Sequence, residues 1–133
     1  MITEILFEDF SNFIKFEIEQ IKRFQCPNGF CIMYVKPEFS KDFKKLKEIL
    51  KEALRSSDVI ASKDEHIFLI LTGVDKQGAD FVRKAIYDFF EGNVVEYYVD
   101  YPQDALTKDE LIKKLTDDIY KKFGINLKHY FAK

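Results

Sequence analysis

Apolar residues recur along the chain at two spacings, and the change from one to the other divides it into elements. Phe7, Phe10, Ile14, Ile18 and Ile21 follow at intervals of three and four, the period of one helix face, so a helix is predicted over 7–24. Pro27-Asn28-Gly29 stops it. The run FCIMYV at 30–35 is almost wholly apolar, as suits a central strand covered on both faces, and Pro37 ends it. Helical spacing returns in Phe43, Leu46, Leu50, Ala53 and Leu54, with Ser40 as the expected N-cap. Lys41, Lys44, Lys45, Lys47 and Lys51 crowd the other side, which is expected to be a solvated face.

Segments 59–61 and 66–71 are strand-like and joined by the polar stretch Ser62-Lys63-Asp64-Glu65, the signal of a β-hairpin. Asp75 is the expected cap of a third helix, with Ala79, Val82, Ala85, Ile86, Phe89 and Phe90 on its buried side and Gly92 closing it. A strand over 94–101 follows. Thr107 with Glu110 makes a capping box for a fourth helix bearing Leu111, Ile112, Leu115, Ile119 and Tyr120. A short strand over 127–131 is expected to end the chain. Helix, then strand-helix-strand-strand-helix-strand, then helix-strand describes a split βαβ core with additions at both ends. The fold class is therefore α+β, a ferredoxin-like or palm-type sheet of four to five strands with helices on its faces, in one domain spanning 1–133.

Composition narrows the function. With 133 residues, 47% hydrophobic and 33% charged, and no uncharged apolar run near the length of a membrane span, the chain reads as soluble, without a membrane partner. The acidic start MITEILFEDF has neither a basic leader nor a small-residue cleavage site, so a cytoplasmic location is expected. A net charge of −2 argues against nucleic acid as a partner. Cys26 and Cys31 frame CPNGFC, and His66 and His129 lie far off, which leaves a zinc site, a disulfide or two unlinked thiols open. Unlinked thiols, Cys26 in a loop and Cys31 buried at a strand start, are preferred for a reducing compartment. No cofactor and no metal is expected. Arginine occurs only at 23, 55 and 83, so each repays inspection.

The element order, together with SSDVIA, VDKQGADFVRKAI and YPQDALTKDELIKKLTDDIY, resembles the GGDEF domain of diguanylate cyclases, a palm-like ferredoxin-related fold. Residues 13–24 look like the family's entry helix, and 30–38 like the strand that ends in its Asp-x-Asp metal-binding segment. Tyr101-Pro102-Gln103-Asp104-Ala105, Leu111 and Tyr120 look like its YPxDA and LY landmarks, with Gly124 and Asn126 as a shortened ending.

The departures fall where the resemblance places the chemistry. Counted from Asp58, the signature segment lands on Asp64-Glu65-His66-Ile67-Phe68, to within one or two residues, and both glycines are gone. Glycine lets backbone approach nucleotide phosphates; Asp64 and Glu65 would set carboxylates against a polyanion. Lys36-Pro37-Glu38 stands for Asp-x-Asp, so an ammonium replaces a magnesium ligand. The stretch from Lys36 to Asp58 is also shorter than the family pattern, where guanine-reading residues would lie. The resemblance therefore implies a non-catalytic domain.

One family element persists, Arg55-Ser56-Ser57-Asp58, which matches the RxxD inhibitory site for cyclic di-GMP. A guanidinium can donate to guanine O6 and N7 while a carboxylate accepts from N1 and N2. The family's second arginine falls at Ala85, and Arg83, two residues away, points elsewhere around the helix. The bland alternative for Arg55 and Asp58 is a helix-end arginine and a turn-capping aspartate. Two functions are expected in competition: a regulatory module sensing cyclic di-GMP, and a protein interaction domain or homodimer without nucleotide, with Tyr97, Tyr98 and Tyr130 as candidate exposed aromatics. Remoter are an active cyclase, or an unrelated enzyme using Asp64, Glu65 and His66 as acid, base or metal ligands, since such a cluster is ordinarily a solvated turn.

Overall fold

In the computed structural model, which describes residues 2–132, five strands form one sheet. They are β1 (Thr3–Glu4), β2 (Phe30–Pro37), β3 (Val59–Lys63), β4 (His66–Thr72) and β5 (Val94–Tyr101). Helices α1 (Phe10–Phe24), α2 (Phe43–Ala53) and α3 (Asp80–Phe89) connect them, and α4 (Lys108–Phe123) and a single helical turn, α5 (Lys128–Phe131), follow. Across the sheet the order is β1-β3-β4-β2-β5, with β1 parallel to β3 and every other neighbour antiparallel. Apart from β1, this is the expected βαββαβ core of an α+β fold.

Alternation along the strands explains why helices cover both faces. Ile32 and Tyr34 of β2, Phe68 and Ile70 of β4 and Val99 of β5 point to one face, where Ile14 and Ile18 of α1 and Leu111, Leu115 and Ile119 of α4 cover them. Cys31, Met33 and Val35, with Ile67, Leu69 and Leu71, point to the other, under Leu46 and Leu50 of α2 and Val82 and Ile86 of α3. The near-continuous apolar reading of 30–35 thus has its cause: β2 is central and buried on both sides.

Several expectations are corrected. The segment 127–131 is helical rather than extended, because Leu127, Tyr130 and Phe131 stand at i, i+3 and i+4. Asn126 Oδ1 accepts from Lys128 N at 3.2 Å, and Phe7 packs against Tyr130 and Phe131 at ring distances of 6.2 and 5.2 Å. Asp75 caps a preceding turn through Gly78 N at 2.8 Å, so α3 starts five residues later, at Asp80. Ser40 caps nothing; its hydroxyl donates to Glu65 Oε1 at 2.9 Å. Ala53, Ala85, Phe89 and Tyr120 lie exposed on their helices. β1 was not expected; it is two residues long and holds its place through Thr3 N to Asp58 O at 3.1 Å and Ile5 N to Ile60 O at 2.9 Å.

Thr107 does cap α4, its Oγ1 accepting from Glu110 N at 3.1 Å, but the return bond of the capping box differs: Glu110 Oε1 accepts from the Thr107 hydroxyl at 2.9 Å rather than from its amide. Cys26 is exposed, Cys31 is buried, and neither is in a disulfide. No helix among the described residues is long and apolar enough to cross a membrane.

Candidate functional site

Two polar constellations lie at opposite ends of the sheet. At the first, β3 and β4 are joined by a two-residue turn at Asp64 and Glu65, tighter than the four-residue stretch expected, with Lys63 paired to His66. Asp64 and Glu65 have φ of 49° and 70°, the left-handed pair of a type I′ turn. Glycine is at home at such positions, so this hairpin keeps a glycine-type backbone with carboxylate side chains on it.

Each side chain of the turn is engaged inside the chain. Asp64 Oδ2 accepts from Tyr130 Oη at 2.9 Å, and Glu65 Oε1 accepts from Ser40. His66 is buried, with Nδ1 2.6 Å from Tyr34 Oη and its ring stacked on the Tyr34 ring at 5.7 Å. Burial first, and then the Lys36 ammonium, hold the imidazole below the ordinary histidine value, while Asp64 pulls weakly the other way. Lys36 stands two residues beyond Tyr34 on β2, hence on the same face, and its Nζ donates to Pro37 O at 3.3 Å. Glu38 is exposed just past the strand, its amide donating to Asn93 O. Sequence distance hid the partners: Tyr130 is 66 residues from Asp64, and Tyr34 is 32 from His66. Among the described residues, no three His, Cys, Asp or Glu side chains converge to hold a metal ion.

At the other end, Arg55 and Asp58 meet as their spacing suggests, but they close on each other. Asp58 is 1% exposed. Its Oδ2 accepts from the Arg55 amide at 3.0 Å and Nε at 3.2 Å; its Oδ1 accepts from Arg55 Nη2 at 2.9 Å and the Thr72 amide at 3.0 Å. Arg55 Nη2 also donates to Thr72 O at 2.5 Å. The guanidinium therefore ties the end of α2 to the end of β4, and Asp58 fastens the entry to β3. Thr72 escaped sequence reading because strand pairing, not a motif, brings it there. Arg83 lies elsewhere, donating to Asp80 Oδ1 at 2.7 Å and facing Glu96.

Tyr97, Tyr98 and Tyr130 are half-buried rather than exposed, and Tyr97 Oη donates to Asp118 at 2.6 Å. The large apolar side chains that do face solvent are others, among them Phe13, Phe16 and Phe24 on α1 and Phe81 and Phe89 on α3.

No protein-family model and no curated protein matches the chain. Solved structures do. A DGC protein from Thermotoga maritima superposes with a TM-score of 0.70 at 20% identity, over 88% of this chain and 95% of that one. A sensory box/GGDEF family protein from Caulobacter crescentus gives 0.67 at 12% identity, over 88% and 91%. The fold is that of a GGDEF domain. The isolated GGDEF domain of a Pseudomonas aeruginosa protein is similar too, with a TM-score of 0.55 at 15% identity over 84% of this chain and 78% of that one. On the GGDEF fold, then, the chain places Lys36 and Glu38 at the end of the central strand, the Asp64-Glu65-His66 turn beside them, and Arg55 with Asp58 at the far end of the same hairpin.

Proposed function

We propose that this chain is a degenerate GGDEF domain, catalytically inactive, that serves in signalling as a regulatory binding module. The observation that carries this is the state of the hairpin turn: Asp64, Glu65 and His66 are each committed to an intramolecular partner, with the Lys36 ammonium on the same face as His66. Magnesium needs several free oxygen ligands, which an ammonium and a buried imidazole do not supply. A triphosphate approaching the turn would meet two carboxylates, and both the charge and the bulk oppose it. We place the module in the cytoplasm; the unpaired thiols of Cys26 and Cys31 accord with a reducing compartment.

Incubation with GTP and magnesium or manganese, followed by chromatography of the nucleotides, tests the proposal. Unchanged GTP supports it, and cyclic di-GMP formed in proportion to protein would end it.

A second function, cyclic di-GMP sensing through Arg55 and Asp58, draws support from the exposed half of the Arg55 guanidinium. Closure of the pair weighs against it, because guanine would have to displace bonds that Asp58 already accepts from within the chain. Calorimetric titration of cyclic di-GMP into the wild type and Arg55→Ala separates the two: heat that vanishes in the variant favours sensing, and no heat with the wild type favours a protein ligand.

A further inference from the structure

The strand β5 is an edge of the sheet, and its outward backbone is open over part of its length. In an antiparallel pair, alternate residues exchange both backbone hydrogen bonds with the neighbouring strand and the rest face away. Asn93 O accepts from Glu38 N, so the 93, 95, 97 series faces β2. At the other end the Asp100 amide donates to Asp104 Oδ2 at 2.7 Å and Asp100 O accepts from Asp104 N at 2.9 Å, so the 94, 96, 98, 100 series faces outward. Asp104 thus seals the outward edge at Asp100. Val94, Glu96 and Tyr98 are left with outward N–H and C=O groups that have no partner among the described residues.

A groove of about 410 Å³ runs beside this stretch, with Lys76 and Arg83 on the α3 side and Lys122 and Phe123 on the α4 side. Edge strands are commonly guarded by lysines that lie across them. Here the cations stand aside as walls: Lys76 is drawn to Asp104 at 2.8 Å, Arg83 to Asp80, and Lys122 Nζ rests over the Tyr97 and Phe123 rings at 5.8 and 5.5 Å. Lys122 has no ion-pair partner within salt-bridge reach among the described residues, and against the three cations of the groove wall stands one carboxylate, that of Glu96, 3.9 Å from Arg83.

We propose that this edge of β5 takes up an extended, acidic peptide segment of a partner protein, which joins the sheet as an added strand. Backbone pairing at Val94, Glu96 and Tyr98 supplies affinity, and the cationic rim selects acidic side chains. A second copy of the chain fits less well, because antiparallel β5-to-β5 pairing about a twofold axis brings Arg83 and Lys122 of each chain toward their counterparts. The proposal rests on the binding-module function above and names its ligand class; peptide binding is scored apart from GTP turnover, so failure of one is distinguishable from failure of the other.

The experiment is an amide hydrogen-exchange titration by NMR with a synthetic peptide of alternating Val and Glu, beside its Val/Lys counterpart. The Val/Glu peptide is expected to slow exchange at Glu96 and Tyr98 while leaving Val95 and Tyr97 unchanged. Lys122→Glu, a surface change, is expected to weaken binding about tenfold, and Glu96→Pro, which removes an outward N–H on an edge strand, to abolish it. No protection with the Val/Glu peptide at millimolar concentration, equal binding of the Val/Lys peptide, or concentration-dependent self-association that protects Glu96 and Tyr98 would each overturn the proposal.

Discussion

Replacing Asp58 with alanine is expected to destabilise the protein by about 3–5 kcal/mol. The magnitude follows from its surroundings. The carboxylate is almost wholly buried and accepts from the Thr72 and Arg55 amides and twice from the Arg55 guanidinium. Without it, two part-buried amides lose their partner, at about 1–3 kcal/mol each. The guanidinium is about half exposed and regains water, so its share is at most about 1 kcal/mol. Arg55→Ala leaves both amides on the carboxylate but strips a buried charge of its counter-ion, and is expected to cost about 2–4 kcal/mol. Urea unfolding followed by circular dichroism reads both losses as shifts of midpoint at constant slope. If both variants lost less than about 1 kcal/mol, the pair would be an ordinary surface ion pair and not the fastening of α2 to the hairpin.

Further outcomes are expected elsewhere. Glu65→Gly relieves a left-handed glutamate at the price of one exposed hydrogen bond, and should raise stability by about 0.5–1 kcal/mol, read as a higher melting temperature; a lower one contradicts the turn geometry. For His66, the folded value lies below the ordinary 6.5, so the unfolded chain binds the proton first. Stability is then fullest above about pH 6.5 and falls as pH drops through that value, and His66→Gln should flatten the decline in urea midpoint between about pH 7 and about pH 5. Glu96 shows the opposite sign: burial pushes its carboxyl up to about 7, so stability falls as pH rises from 4.5 through that value. Glu96→Gln should therefore gain up to about 3 kcal/mol at about pH 8 and little at about pH 4, and equal effects at both would contradict a desolvated carboxylate.

What the sequence made legible follows from how local each signal is. The period of three and four in α1, the apolar run of β2 and the Thr107 cap of α4 are short-range patterns, and each marks its element to within a few residues. Residues 127–131 misled because five consecutive mostly apolar or aromatic-flanked positions suit either period; tertiary packing on Phe7 decides for the helix. At the hairpin, chain order placed Asp64, Glu65 and His66 together, yet their partners Tyr130, Ser40 and Tyr34 come from distant elements that only the folded sheet assembles. Likewise RxxD spacing brought Arg55 and Asp58 together, while Thr72, which helps lock them, arrives through strand pairing. The open edge of β5 carries no sequence motif; it follows from the strand order, in which β5 pairs with β2 alone, while residues 127–131 coil against Phe7.

The central claim is that a GGDEF fold persists here without its nucleotide chemistry. Calorimetric titration of GTP with magnesium into the wild-type protein tests it most directly. The account predicts no binding heat and no conversion to cyclic di-GMP; saturable heat that is lost in Lys36→Glu, accompanied by turnover, would contradict it.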